Sequence, residues 1–222
     1  MIVVDNNSSE QNLDELLSKY RFLKVVREAN NHGFAKANNI GTIVASGEIV
    51  LYLNSDIEIL DSSIENAISD FSKERQKQLW TFRLLWPDGR FQNSVCQKLD
   101  YKTFLVCYTP LHLLPIFDSI RCRHHYLNEN GDKFERTVDV AYGAAMMMWK
   151  SDFQELGGFS EKFFMYFEDV DFCDRFRNAG GCIKIIPNIS LIHNAQGSVG
   201  VKRGVNRQYL KSKYIYGFTA VP

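Results

Sequence analysis

Hydrophobic and polar positions along this chain fall into blocks that read in turn as strands and helices. Ile2, Val3 and Val4 form a short β-branched run that stops at the polar cluster Asp5-Asn6-Asn7-Ser8-Ser9, the pattern of a strand ending in a loop. Leu13, Leu16, Leu17 and Tyr20 then recur at the spacing that lines one helical face, and residues 22–26 supply another short strand. Asn30-Asn31-His32-Gly33 opens a second helix with Phe34, Ala37, Ile40, Gly41, Val44 and Ala45 on its inner side, and Ser46-Gly47 ends it. Ile49–Leu53, an unbroken apolar run, is the pattern of a strand buried on both faces of a parallel sheet. A third helix (Ile64, Ala67, Ile68, Phe71) and a strand near 79–85 continue the alternation, which predicts an α/β fold with a mostly parallel, doubly wound sheet and helices on both faces.

Residues 87–137 lose this regularity, and their Pro, aromatic and polar stretches predict an excursion with a hairpin or short helices. Order returns with residues 138–149, which read as a strand, and a short helix from Ser151 stopped by Gly157-Gly158. A further helix carries Phe172, Cys173, Phe176 and Ala179, has Glu168, Asp169 and Asp171 in its first turn, and ends at Gly180-Gly181. Two short strands, 182–186 and 190–193, precede a basic, Tyr-rich tail over 201–217 that reads as a helix.

Composition narrows the function classes. The 222 residues suffice for one substantial domain and are few for two. Lys plus Arg and Asp plus Glu are 26 each, so no global field draws nucleic acid or an anionic surface, and an anionic ligand must be held locally. No apolar run approaches the roughly 20 residues that span a bilayer, and the opening MIVVDNNSSE lacks the pattern of a signal peptide, so a cytoplasmic protein is expected. Cys96, Cys107, Cys122, Cys173 and Cys182 are never spaced CxxC and read as reduced packing residues.

Ligands of open α/β sheets bind beyond the carboxyl ends of strands, so polar residues just after apolar runs are the first candidates. Asp5 after the opening strand can accept hydrogen bonds from a nucleoside or can cap a turn. Asn54-Ser55-Asp56 after the run Ile49–Leu53 places two oxygen donors on one side of an extended chain, suited to a divalent cation that bridges phosphates; an ordinary turn fits as well. Glu168 and Asp169 follow the aromatic stretch 163–167, and an apolar wall beside paired acids raises a carboxylate pKa towards that of a general base. Carboxylates in a first helical turn are also ordinary dipole partners. His193 at a strand end is a metal ligand or a loop hydrogen-bonding group, and His124-His125 reads as a solvated loop. The chain holds no GxGxxG, GxxxxGK[ST], GxSxG or HExxH.

In order, VVDNNSSE, NNHGFAKANNIGTIVASGEIVLYLNSD, YGAAMMMWKSDFQELGGFSEKFFMYFEDVDFCDRFRNAGG and IHNAQGS resemble the inverting glycosyltransferases of family 2, with the GT-A fold, and especially their bacterial rhamnosyltransferase-like branch. The resemblance implies one GT-A domain over 1–222, with 1–86 a nucleotide-binding half and 87–222 an acceptor-binding and catalytic half. It implies that Asp5, Asn31, Gly33, Asn38, Asn54 and Asp56 bind the nucleotide-sugar. Asp56 and His193 would ligate Mg²⁺ or Mn²⁺, with Asn54 standing where the family's DxD motif usually has its first acid. Gly143, Ala144 and Asp171 would border the acceptor, and Glu168-Asp169 would supply the base, Asp169 being the preferred one. Family members begin with a further strand before the equivalent of VVDN, so this chain reads as N-terminally truncated, with donor binding expected to suffer.

The implied reaction transfers a sugar from dTDP-rhamnose or a UDP-hexose to a glycan or lipid-linked glycan acceptor in bacterial surface polysaccharide synthesis. The alternative is a non-catalytic GT-A-like binding or scaffold module. Nucleic acid is excluded as a partner, and a homodimer is compatible with the sequence. Lys202, Arg203, Arg207, Lys211 and Lys213 would permit peripheral contact at the inner membrane face, although cations on a helix also make a plain solvated surface.

Overall fold

The computed structural model describes residues 1–9, 15, 18–126, 135–194 and 207–219. The opening run folds as β1 (Ile2–Asp5), which pairs in parallel with β2 (Lys24–Arg27) in a two-stranded sheet of its own. Leu13, Leu16 and Leu17, on which the first expected helix rests, lie outside the described residues. Helix α1 (Gly33–Val44) follows and packs on β1 where Gly41 faces Val4. Its most deeply buried positions are Gly33, Ala35 and Thr42, and Thr42 reaches them as a polar residue because its hydroxyl bonds Tyr52 Oη at 2.8 Å.

The larger sheet contains β3 (Ile49–Leu53), β4 (Ile57–Ile59), β5 (Gln78–Leu85), β6 (Phe91–Gln92), β8 (Arg136–Thr137), β10 (Ala145–Trp149) and β11 (Cys182–His193). Its main order is β3-β10-β5-β11-β4, with β6 on β5 and β8 on β11. In a separate two-stranded sheet, β7 (Val95–Cys96) pairs with β9 (Val140–Ala141). Helices α2 (Ser63–Ser72), α3 (Tyr101–Tyr108), α4 (Asp118–His124), α5 (Lys150–Glu155), α6 (Glu168–Asn178) and α7 (Arg207–Thr219) complete the chain, with 3₁₀ turns at Pro110–Leu113 and Pro115–Phe117.

The α/β class holds, but the expectation of a mostly parallel sheet is corrected to a mixed one. Strand β10 runs antiparallel to both β3 and β5, while β11 runs parallel to β5. Strand β10 starts beside the carboxyl end of β3, where Ala145 pairs with Leu53, and runs back along it until Trp149 pairs with Ile49. The apolar run in β3 reports covered faces rather than direction. Val50 and Tyr52 join the core under α6, and Ile49, Leu51 and Leu53 pack against the core under α2. Strand β10 alternates in the same way, sending Met146 and Met148 to one side and Ala145, Met147 and Trp149 to the other. The two expected strands 182–186 and 190–193 are one strand, whose register on β5 shifts between Ile186 and Ser190, around Pro187, which has no amide to donate.

Candidate functional site

The start of α6 is built by strain and aromatic packing. Tyr166 and Phe167 have consecutive left-handed backbones (φ 70° and 68°), a conformation disfavoured for bulky residues and held here by surrounding contacts. The Phe34 amide donates to Phe164 O at 2.7 Å, Ser212 Oγ donates to Met165 O at 2.7 Å, and the Phe167 ring packs on Tyr108 and Tyr216. The turn thereby delivers two carboxylates to the same spot. Glu168 is only 4 % exposed, and its Oε2 has no hydrogen-bond partner among the described residues. Burial, then the neighbouring Asp169, pushes the Glu168 carboxyl up to about 9.

Asp169 differs from its neighbour in both contacts and access. Its Oδ2 accepts the Gly143 amide and its Oδ1 the Val170 amide, each at 2.8 Å, and the residue keeps partial solvent contact. Burial of the carboxyl raises its pKa, and these amides oppose the shift. Of the two, Glu168 is the one held in its neutral form, because it is buried and its Oε2 lacks a hydrogen bond. Asp169 has two backbone amides to stabilise its ionised form.

A second cluster forms where β3 and β11 end. His193 Nε2 lies 3.2 Å from Asp56 Oδ1 and 3.4 Å from Asn54 Nδ2. Its Nδ1 lies 2.8 Å from Gln92 Oε1, and a carbonyl oxygen can only accept, so Nδ1–H donates to Gln92 and Nε2 is the ring nitrogen turned towards Asp56. A carboxylate oxygen and an imidazole nitrogen converging this way suit a divalent cation that takes its remaining ligands from phosphates and water. Among the described residues no group of three or more His, Cys, Asp or Glu could hold a metal ion.

Residues 143–144 couple the two clusters. The Gly143 amide binds Asp169, and the Ala144 carbonyl accepts the Asn54 amide at 3.0 Å. A Cβ on Gly143 would sit 3.2 Å from the Phe34 ring, so the turn also touches the start of α1.

The loop expected to hold a nucleoside is organised by Asn6. Its side chain donates to Asn31 Oδ1 at 3.0 Å and Gly33 O at 3.1 Å, and accepts the His32 amide at 2.8 Å. Asp5 Oδ1 accepts the Ser8 amide at 2.9 Å, the turn-forming role open to it from sequence. Asn38 donates to Phe34 O one turn back in α1 at 2.9 Å. Gly33 has φ 81°, and a Cβ there would lie 2.1 Å from Phe164 O, so glycine is what allows this loop to meet the turn before α6.

Asp171 is not brought to the carboxylate pair. Two residues along a helix turn the side chain by about 200°, and Asp171 instead binds Arg175 Nε at 2.8 Å. Both line a surface cavity of about 270 Å³ together with Ser160 and Lys162. Gln92 and the organising part of Asn6 are contributions that sequence patterning missed. Asn6 follows a strand and could have been found by position, whereas Gln92 sits in a two-residue strand with no periodic signal.

The profile described as glycosyl transferase family 2 matches residues 1–171 of this chain. The chain belongs to glycosyl transferase family 2. Among family relatives, the low-salt glycan biosynthesis hexosyltransferase Agl10 of Haloferax volcanii is 27 % identical over 203 residues, covering 87 % of this chain and 58 % of that protein. The N-acetylglucosaminyl-diphospho-decaprenol L-rhamnosyltransferase of Mycobacterium tuberculosis is 24 % identical over 214 residues, covering 90 % of this chain and 68 % of that one. The chain thus spans less than two thirds of the first relative's length. The crystal structure of GalNAc-T7 with UDP, GalNAc and Mn²⁺ superposes with a TM-score of 0.66 at 15 % identity over 97 % of this chain and 41 % of its own, a likeness of fold. Family 2 membership, the rhamnosyltransferase-like resemblance and the GT-A fold therefore stand.

Proposed function

We propose that this protein transfers a sugar from a nucleoside-diphosphate sugar, dTDP-rhamnose or a UDP-hexose, to a hydroxyl of a glycan or lipid-linked glycan acceptor, with inversion at the anomeric carbon, in surface polysaccharide synthesis. The observation that carries the proposal is the unlike pair at the start of α6, Glu168 buried and Asp169 bound to the Gly143 amide. The acceptor hydroxyl loses its proton to Asp169 as its oxygen bonds the anomeric carbon, and the bond from that carbon to the nucleoside diphosphate breaks with its electron pair leaving on the phosphate. Asp56 and His193 would hold Mg²⁺ or Mn²⁺, as the Mn²⁺ in the GalNAc-T7 structure supports. Such an ion, when bound, supplies positive charge against the diphosphate.

The remaining roles follow position. Asp5, Asn31, Gly33 and Asn38 face the nucleoside from the first half of a single domain, Asn54 borders the cation, and Gly143 and Ala144 border the acceptor. The donor and acceptor classes are supported by the names of the relatives and by UDP in GalNAc-T7. A module that only binds glycans has no use for a buried carboxyl whose oxygen goes unbonded, an arrangement that costs about 1–3 kcal/mol. Incubating the protein with labelled dTDP-rhamnose or UDP-hexoses, Mn²⁺ and a lipid-linked glycan tests the reading; inverted product is expected, and hydrolysis or binding without transfer for every donor rejects it.

A further inference from the structure

We propose that the face formed by α3, the two 3₁₀ turns and α7 rests on the surface of an anionic lipid bilayer. This goes beyond the transfer reaction and is independent of it. Leu113, Ile116 and Phe218 are 72 %, 77 % and 76 % exposed, unusual for large apolar side chains that share one region. Tyr101 and Leu105 stand one turn apart on α3, and Tyr214 and Phe218 one turn apart on α7 with ring centroids 4.4 Å apart, all four exposed. On α7 the face opposite Tyr214 and Phe218 is committed inward through the buried Tyr216, and on α3 the buried residue is Val106. Phe104 packs on Tyr216, and Lys213 Nζ donates to Tyr108 O at 2.6 Å, so α3 and α7 lie side by side, each with an exposed apolar pair.

Charge selects the occupant. Residues 101–117 and 207–219 contain no Asp or Glu, in a chain where acids and bases balance at 26 each. Lys102, Arg207 and Lys211 are exposed on the same elements. The carboxylates at the margin are engaged, Asp100 by the Thr103 amide at 2.6 Å and Asp118 by Arg121 at 2.8 Å. Aromatic and aliphatic crests among cations, without carboxylates, match the interface of an anionic bilayer, where apolar groups enter the acyl boundary and cations meet lipid phosphates. Among the described residues no helix is long and apolar enough to cross a membrane, so this contact is peripheral. Because Phe167 packs on Tyr108 of α3 and Tyr216 of α7, a bilayer on this face lies about one helix layer, ~10 Å, from the start of α6.

Cosedimentation with vesicles, run without donor or cation, tests this. The full chain should bind vesicles containing phosphatidylglycerol more tightly than vesicles of phosphatidylcholine alone, and added salt should weaken the binding. The pairs Leu113→Ser with Ile116→Ser, and Tyr214→Ser with Phe218→Ser, should each lower the partition coefficient on the order of tenfold. Lys211→Ala should lower it about fivefold. All these positions are exposed, so circular dichroism melts should match the unaltered protein. The proposal is overturned if the protein ignores anionic vesicles, if both folded pairs bind as the parent does, or if the same substitutions abolish a dimer in solution, which would make the face a self-interface.

Discussion

Gly143 donates its backbone amide to Asp169 Oδ2 at 2.8 Å, fixing a carboxylate from the start of α6 against the turn that begins β10. The next carbonyl, that of Ala144, binds the Asn54 amide, so one dipeptide holds the carboxylate pair and the Asp56–His193 pair in a common frame. A reaction needing a base on one reactant and charge compensation on the other requires such a fixed separation.

Replacing Asp169 by Asn keeps the size and an oxygen for the Gly143 amide but removes the proton acceptor. Transfer should fall about 10²- to 10⁴-fold, with nucleoside-diphosphate affinity by calorimetry unchanged. Retained turnover would move the base elsewhere.

Gln92 should matter for cation binding although it is no ligand. Gln92→Leu removes the acceptor that keeps the proton on His193 Nδ1. Mn²⁺ affinity in the presence of nucleoside diphosphate, read by electron paramagnetic resonance, should drop about 10- to 100-fold. Loss in Asp56→Ala or His193→Ala but not in Gln92→Leu would confine the effect to the ligands.

Glu168 makes stability depend on pH. Its folded pKa, about 9, lies above its ordinary value of 4.5, so the folded state binds the extra proton and this group's contribution is intact below the ordinary value and lost as pH rises through about 9. Glu168→Gln stays neutral throughout. Its melting temperature should match the parent near pH 5 and exceed it increasingly towards pH 9; a constant offset would mean that Glu168 is ionised in the fold.

Gly33→Ala should loosen the contact between the Asn31–Gly33 loop and the turn before α6. The backbone at φ 81° alone costs an alanine ~1–3 kcal/mol, and its Cβ would meet Phe164 O at 2.1 Å. Chemical denaturation should show a loss of at least this size together with weaker nucleotide binding. Unchanged stability would show that the loop can re-form elsewhere.

Much of this protein is legible in one dimension, because apolar period reports how many faces of an element are covered. That is why the apolar pattern marks β1, β3, β5, α1, α2 and α6 close to their observed bounds, and why Glu168, Asp169, Asn54, Asp56 and His193 stand as polar residues directly beyond apolar runs. Period carries no strand direction, however. Strand β10 reads like a parallel core strand, yet it runs antiparallel to both of its neighbours, β3 and β5. Nor does sequence show which side chains meet. Gln92 reaches His193 across 101 residues, and Asp171 turns to Arg175 because of helical pitch. Residue chemistry was thus determined by the chain itself, and the division of labour between Glu168 and Asp169 by tertiary structure, since only packing decides which carboxylate loses water and which gains an amide.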